Sequence, residues 1–218
     1  LPTIEGTNIF LQNDGFLDKE IVPVKDLPID QCPINQNWSW DKILRSVYIK
    51  QADVLQGLYF FEDNFSLEVI KENTEYYEPL TVHESSLSPS VHSILFSKIN
   101  NHKKAYEMYL RTARLDLDDY NREVHEGLHI TSMAGTWLSV IEGFAGVRIN
   151  EKELKFKPIL PKEWRSYCFN IVYKNQRVKF DIKKGNSVLT NYGDKTIRIS
   201  TDSNDYKLEP HSQITIAC

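Results

Sequence analysis

Cysteine is scarce in this chain. Cys32, Cys168 and Cys218 are the only three in 218 residues. The number is odd and the spacing irregular, so there is neither a disulfide framework nor a close Cys pair for a metal. Each reads as a small core filler or a surface thiol, and a reducing, cytoplasmic compartment is expected. Positive charge is also in short supply, the formal net charge being −4. That excludes the broad basic face of a general nucleic-acid binder but leaves room for a local anion site. The N-terminus has no basic start followed by an apolar run, so no secretory leader is expected. The most apolar stretch, Ile130 to Val147, contains Glu142, Ser132 and Ser139. A charge near the middle of a membrane span costs about 2.5–3.5 kcal/mol. A buried core helix is therefore expected there, not a span. Internal repeats and low-complexity runs are missing too. The first residue is Leu1 rather than Met, which raises the expectation of a piece of a longer protein.

What is there suits a folded globular chain. It is 41% hydrophobic and 26% charged, enough for one large domain or two small ones at roughly 100–200 residues each. Residues 1–40 are punctuated by Pro2, Pro23, Pro28 and Pro33 and by the turn signal Asn13-Asp14-Gly15. They are expected to wrap over a scaffold built elsewhere. From about residue 41 the pattern is helical. Lys50 to Phe61 is apolar on nearly all sides, as in a helix buried all round. Asp63-Asn64 is placed to cap a more charged helix over about 65–78, which Pro79 ends. Ser88-Pro89 reads as an N-cap and a first-turn proline, opening a helix that carries Val91, Ile94, Leu95 and Ile99. A helix over about 103–116 is amphipathic, and one over about 132–146, with Met133, Trp137, Val140, Ile141 and Phe144, is again mostly apolar. Buried and exposed helices thus alternate. That pattern predicts a toroid of inner helices ringed by outer ones, not a bundle of equivalent helices.

After Gly146 the hydrophobic period drops to two. Val178, Phe180 and Ile182, then Ile197 and Ile199, then Ile214 and Ile216 alternate with polar residues. Turn signals fall at Lys184-Gly185-Asn186 and Tyr192-Gly193-Asp194. A small antiparallel β domain is expected over about 150–218, with no recognisable chemistry.

Chemistry is expected at the helix starts. The three apolar helices carry their polar residues at their N-terminal ends. Lys50-Gln51 opens the first, His83-Glu84-Ser85-Ser86-Leu87-Ser88 precedes the second, and His125-Glu126-Gly127-Leu128-His129-Ile130-Thr131-Ser132 precedes the third. As inner helices of one toroid they run the same way, and their starts meet at one end of the cavity. Helix starts leave backbone N–H groups unpaired and favour an anion. Ser85, Ser86, Thr131 and Ser132 add hydroxyls, and His129 a ring N–H. A phosphate can be held this way without a basic protein. Lys50 and Gln51 suit sugar hydroxyls. Taken singly, the serines read as caps, His83, His92 and His102 as packing or surface residues, and Trp38, Trp40 and Trp137 as core. Only convergence makes a site. The string His125-Glu126-Gly127-Leu128-His129 has the zinc-protease spacing, but it is glycine-broken, precedes the helix and has no third ligand, so no metal is expected.

Lys50-Gln51-Ala52-Asp53, His83 to Pro89, the run Thr112 to Asn121 and the run Gly127 to Trp137 together resemble the C-terminal third of the inverting disaccharide phosphorylases of glycoside hydrolase family 65. The resemblance covers about residues 1–218. It implies an α+β architecture, with residues 1–148 the C-terminal part of an (α/α)6 catalytic barrel and 149–218 a small antiparallel β-sandwich. It implies that inorganic phosphate attacks the anomeric carbon of an α-linked glucose disaccharide while a glutamic acid protonates the leaving oxygen, giving inverted glucose 1-phosphate. Maltose is the expected disaccharide, with trehalose and kojibiose as alternatives, and no cofactor is implied beyond phosphate as co-substrate. Lys50 and Gln51 would hold the transferred glucose. Ser85, Ser86, His129, Thr131 and Ser132 would lie at or near the phosphate.

The pattern departs from the family in length. The implied barrel needs twelve helices, and about five are legible here. The general acid lies upstream of the Lys-Gln pair in this family, so no catalytic residue is expected in this chain; Glu84 and Glu126 are local candidates for an acid, but their positions do not carry that role in the family. The expectation is a C-terminal fragment, inactive alone, whose exposed inner helix faces meet the missing part of the barrel or a second copy. A hydrolase of the same family, with a carboxylate base activating water, and a non-catalytic sugar-binding scaffold are the competing readings.

Overall fold

The computed structural model describes residues 1–49 and 53–217. The chain divides into two compact units, Leu1–Ser139 and Val140–Cys218.

The first unit opens with an arm of short turns that leads into two brief helices, α1 (Ile34–Asn37) and α2 (Trp40–Leu44). Six further elements follow: α3 (Asp53–Phe60), α4 (Leu67–Tyr77), α5 (Ser88–Lys98), α6 (His102–Ala113), α7 (Leu115–Asp118) and α8 (Ile130–Leu138). The arm does wrap over the scaffold. Phe16 is buried against Tyr77, with ring centroids 5.9 Å apart. Asn73 of α4 accepts from Phe10 N at 2.9 Å and donates to Asn8 O at 2.8 Å. These bonds give the irregular arm the partners it lacks internally.

Helix starts differ from the sequence expectation in detail. Asp63 and Asn64 form a 3-10 turn, Glu62–Asn64. The cap of α4 is Ser66, whose Oγ accepts from Val69 N at 3.3 Å. An Asx pair one turn early lost to a serine with the right three-residue reach. Ser88 lies inside α5 rather than capping it, and its Oγ meets His83 Nδ1 at 3.1 Å. The last helix ends at Leu138, and Ser139–Phe144 continues as a π-helix.

Burial follows the expected alternation for α4, α5 and α6, but not for α3, which was expected to be buried all round: only Leu55 and Leu58 of it are buried and Phe60 is 68% exposed, because the first unit covers one side of it alone. Trp40 and Trp137, expected in the core, are likewise exposed. All of α5 from Ser88 to Ser97 is buried, whereas α4 and α6 bury one face. In α8 only Ser132 and Gly135 are buried; Ile130 is 66% exposed and Met133 47%. The apolar pattern of α8 therefore has no cover within this unit on the side that carries Ile130 and Met133. Two backbone bonds matter for the site. Ile49 N donates to Leu80 O and Val82 N donates to Ile49 O, each at 3.0 Å. This parallel bridge lays the approach to α3 beside the approach to α5.

The second unit contains β1 (Arg148–Ile149), β2 (Leu154–Lys155), β3 (Ser166–Tyr173), β4 (Gln176–Lys183), β5 (Asn186–Asn191), β6 (Ile197–Ser200), β7 (Asp205–Leu208) and β8 (Gln213–Ala217). They form two four-stranded sheets, ordered β1-β2-β6-β7 and β3-β4-β5-β8. Inward residues of both sheets share one core, in which Phe169 and Phe180 stack with centroids 4.8 Å apart. The two-residue turn Lys184-Gly185 sets the β4–β5 register, with Lys183 opposite Asn186. One pairing is not antiparallel: β2 runs parallel to β6, Leu154 facing Ile199. Alternation marks which face a residue takes but not its strand's partner, so this crossover was not legible. No helix among the described residues is long and apolar enough to cross a membrane.

Candidate functional site

The site is built where α5 and α8 begin. His83 turns the chain with a left-handed φ of 54°. Its carbonyl accepts from Arg111 Nη2 at 3.2 Å, and its ring is T-shaped against that of His92, centroids 4.5 Å apart. Beyond this corner Glu84 and Ser85 are buried and Ser86 reaches the surface side. Ser86 Oγ lies 2.5 Å from Thr131 Oγ1, the second residue of α8. The two helix starts are thus joined by a hydroxyl pair across 45 residues of sequence.

The other expected residues take distinct places. Ser85 Oγ accepts from Leu87 N at 3.3 Å and shapes the loop. Ser132 is buried, and its Oγ donates to Thr112 O at 2.7 Å. A serine has one hydroxyl proton, so binding an anion through Oγ requires that bond to open. His129 stands directly before α8. Its backbone N–H donates to Asp116 Oδ2 at 3.0 Å, its Nδ1 lies 2.5 Å from Asp116 Oδ1, and its Nε2 lies 3.8 Å from Glu123 Oε2. The bonds from the His129 ring and backbone hold the Asp116 carboxyl below the usual carboxylate range. Lys50 and Gln51 lie outside the described residues. Ile49, immediately before them, bridges the Leu80–Val82 segment that leads to His83.

Sequence reasoning missed Arg111, and it left Glu84 and the His83–His92 pair without the partners the structure gives them. Glu84 is not poised for acid chemistry: its carboxylate accepts from Ile34 N at 2.5 Å and Asn35 N at 2.9 Å, at the start of α1. Arg111 brings a largely buried guanidinium to the back of the loop, and burial pulls its pKa down. His83 and His92 are driven toward the neutral form, first by burial and then by nearby charge; His92 is lowered to about 3. No local pattern marks these groups, because their partners are on other elements. Among the described residues, no group of three His, Cys, Asp or Glu side chains is arranged to hold a metal. What the arrangement offers is two helix starts, a half-exposed hydroxyl pair and a positive charge behind them, which is chemistry for an oxyanion.

Comparison with known proteins agrees along the chain. Residues 1–138 match the pattern described as Glycosyl hydrolase family 65 central catalytic domain, and residues 147–208 match the Glycosyl hydrolase family 65, C-terminal domain. Over 193 residues the chain is 55% identical to a maltose phosphorylase of Bacillus subtilis (strain 168), covering 84% of this chain and 26% of that protein. It is 44% identical over 188 residues to an alpha,alpha-trehalose phosphorylase of Thermoanaerobacter brockii, covering 86% of this chain and 24% of that one. A solved structure, provisionally assigned as a kojibiose phosphorylase from the human microbiome, is 38% identical with a TM-score of 0.90, covering 99% of this chain and 30% of that one. The chain spans about a quarter of the length of the curated relatives it matches. It is a member of glycosyl hydrolase family 65, with an α+β fold that combines part of the family's helical catalytic domain with its C-terminal β domain.

Proposed function

We propose that this chain supplies the sugar- and phosphate-binding part of an inverting α-glucoside phosphorylase that converts maltose and inorganic phosphate to β-glucose 1-phosphate and glucose. In this reading residues 1–148 are the C-terminal part of an (α/α)6 barrel and 149–218 a β-sandwich domain. A phosphate oxygen attacks the anomeric carbon, the glycosidic C–O bond breaks, and its electrons pass to the leaving oxygen. That oxygen takes a proton from a glutamic acid on a part of the barrel outside this chain. Ser85, Ser86, His129, Thr131 and Ser132 serve phosphate, and Lys50 and Gln51 serve the transferred glucose. Phosphate is a co-substrate, and no other cofactor is needed.

The observation that carries this reading is the Ser86–Thr131 hydroxyl pair at the meeting of two helix starts. Hydroxyls and amide N–H groups suit an anionic nucleophile, whereas a hydrolase needs a free carboxylate to activate water; Asp116 is already engaged by His129. The 55% identity to a maltose phosphorylase supports maltose over trehalose and kojibiose. The apolar residues Leu128, Ile130 and Met133, all exposed in this unit, support a further body of protein over α8, either the rest of the barrel or a second copy.

The test is to incubate maltose, trehalose or kojibiose with the chain alone and with the chain joined to the preceding part of the barrel. Glucose 1-phosphate is expected from the joined protein, from maltose, and only when phosphate is present. Glucose release without phosphate overturns the phosphorylase reading, and faster cleavage of another disaccharide overturns the linkage. Turnover by the chain alone overturns the placement of the acid.

A further inference from the structure

The strongest unused feature is a partly buried network, centred on the buried Glu84, that ties the arm to both loops of the candidate site. Glu84 is 6% exposed, and its two carboxylate oxygens accept the first two backbone N–H groups of α1, Ile34 N and Asn35 N. The same Asn35 donates from Nδ2 to Glu123 Oε1 at 3.1 Å. The other oxygen of Glu123 faces His129 Nε2 at 3.8 Å. Next along α1, Gln36 Nε2 donates to Asn121 O at 3.0 Å. One turn of the arm thus grips the loop of Ser85 and Ser86 through Glu84, and the loop before α8 through Glu123 and Asn121. Behind Glu84, His83 is fixed through its carbonyl by Arg111 and through its ring by Ser88.

We infer that Glu84 is a positioning residue for the anion site, clamping the arm segment Ile34–Asn37 onto the Ser85–Ser86 loop and, through Asn35 and Glu123, setting His129 in register with it. The inference rests on the phosphorylase reading and adds a role to a residue that touches neither sugar nor phosphate. Its geometry suits this role and no reactive one. A carboxylate that accepts two backbone N–H bonds in a nearly closed site is held in one orientation. Ser85 and Ser86 follow it directly in the chain, so tilting Glu84 swings both hydroxyls. Chain placement alone does not secure the Ser86–Thr131 contact, because the two loops are far apart in sequence; the clamp bridges them from behind.

The experiment is steady-state phosphorolysis by the enzyme that contains the whole barrel, in the forms wild type, Glu84→Gln and Asn35→Asp. Glu84→Gln keeps the shape but turns one acceptor into an N–H donor facing a backbone N–H. Asn35→Asp keeps the backbone bond to Glu84 but sets a carboxylate against Glu123. Each is expected to raise the KM for phosphate about tenfold, as the loss of one charge-assisted hydrogen bond implies. The kcat at saturating phosphate and the acid and base limbs of the pH profile should stay near wild type. Loss of kcat with disappearance of one limb in Glu84→Gln overturns the inference in favour of direct proton transfer. A lowered melting temperature with phosphate and disaccharide KM values both unchanged overturns it in favour of a purely structural cap. Should Glu84→Gln not fold, Asn35→Asp decides by the same KM criterion. A wild-type enzyme that cleaves without phosphate overturns the functional reading, and this inference with it; a phosphate-dependent wild type with unmoved variants overturns the inference alone.

Discussion

Ser86 Oγ and Thr131 Oγ1 lie 2.5 Å apart, although one precedes α5 and the other belongs to the first turn of α8. The pair is the point at which two separate polar segments become one surface. Either hydroxyl can donate to its partner, which leaves the other proton for a ligand.

On the proposed phosphorylase reading, Ser86→Ala and Thr131→Val in the enzyme that contains the whole barrel are each expected to raise the KM for phosphate by about tenfold, the scale of one hydrogen bond to an anion. Because the two hydroxyls share one contact, the double variant should lose less than the product of the single losses. An equal rise in the KM for disaccharide removes the pair from the phosphate site.

Gly135 decides how closely α8 approaches α5. A Cβ there would stand 2.7 Å from Ser90 Oγ and 2.8 Å from Ser90 Cβ. The hydroxyl can rotate away, but the Cβ is fixed to the backbone. The helix-propensity gain of Gly135→Ala, about 1 kcal/mol, is therefore outweighed by an overpacking cost of about 1–3 kcal/mol. Urea denaturation should show net loss of stability, with Ser90→Gly recovering part of it. A stabilised Gly135→Ala would mean that α5 and α8 are further apart.

The histidine pair makes stability fall with acid. His92 faces His83 and the charge of Lys104; His83 faces His92, Arg111 and Lys104. Both have folded-state pKa values below the usual histidine value, so the unfolded chain binds more protons as pH drops. The stability they contribute is present above about pH 6.5 and is lost as pH falls toward their folded values, at about 1.4 kcal/mol per pH unit for each histidine. For His92 that loss continues to about pH 3. His92→Leu should flatten the slope of stability against pH between 6 and 4 by about one proton's worth. An unchanged slope would show that His92 is not a buried neutral ring.

In the second unit Gly146 has a φ of 57°, and an added Cβ would fall on the carbonyl oxygen of Lys157. Gly146→Ala combines about 1–2 kcal/mol of left-handed strain with a backbone clash that no rotamer relieves. Thermal melting should show a loss of at least about 2 kcal/mol, well above the effect of an ordinary surface substitution. The same change at Gly6, also left-handed but with open space around it, should cost only the strain.

Much of this was open to a reader of the chain. The 2.0 period over 176–183 reports burial against whatever covers it, and the buried face is where the pattern puts it, whereas residues 88–97, read as a buried helix, are buried on every side, their serines included. That Ser85 and Ser86 precede α5 and that His129, Thr131 and Ser132 stand at the start of α8 was legible, because polar clusters before apolar helices are local features. Local pattern misjudged α8, whose apolar residues Ile130 and Met133 remain exposed in this unit. Periodicity says which side of a helix seeks cover, not whether the chain in hand supplies it.

The amino-acid order alone determined where helices give way to strands, the alternating inward positions of the strands and the family, since each depends on neighbours a few positions away or on motifs read in a row. Tertiary structure decided the rest: that Ser86 meets Thr131, that Glu84 caps α1 instead of serving as an acid, that His129 is held by Asp116, and that β2 lies parallel to β6. Those contacts join segments far apart in sequence. Their selection depends on the packing of whole elements around them, and no local pattern encodes a partner that only the folded backbone brings within hydrogen-bonding distance.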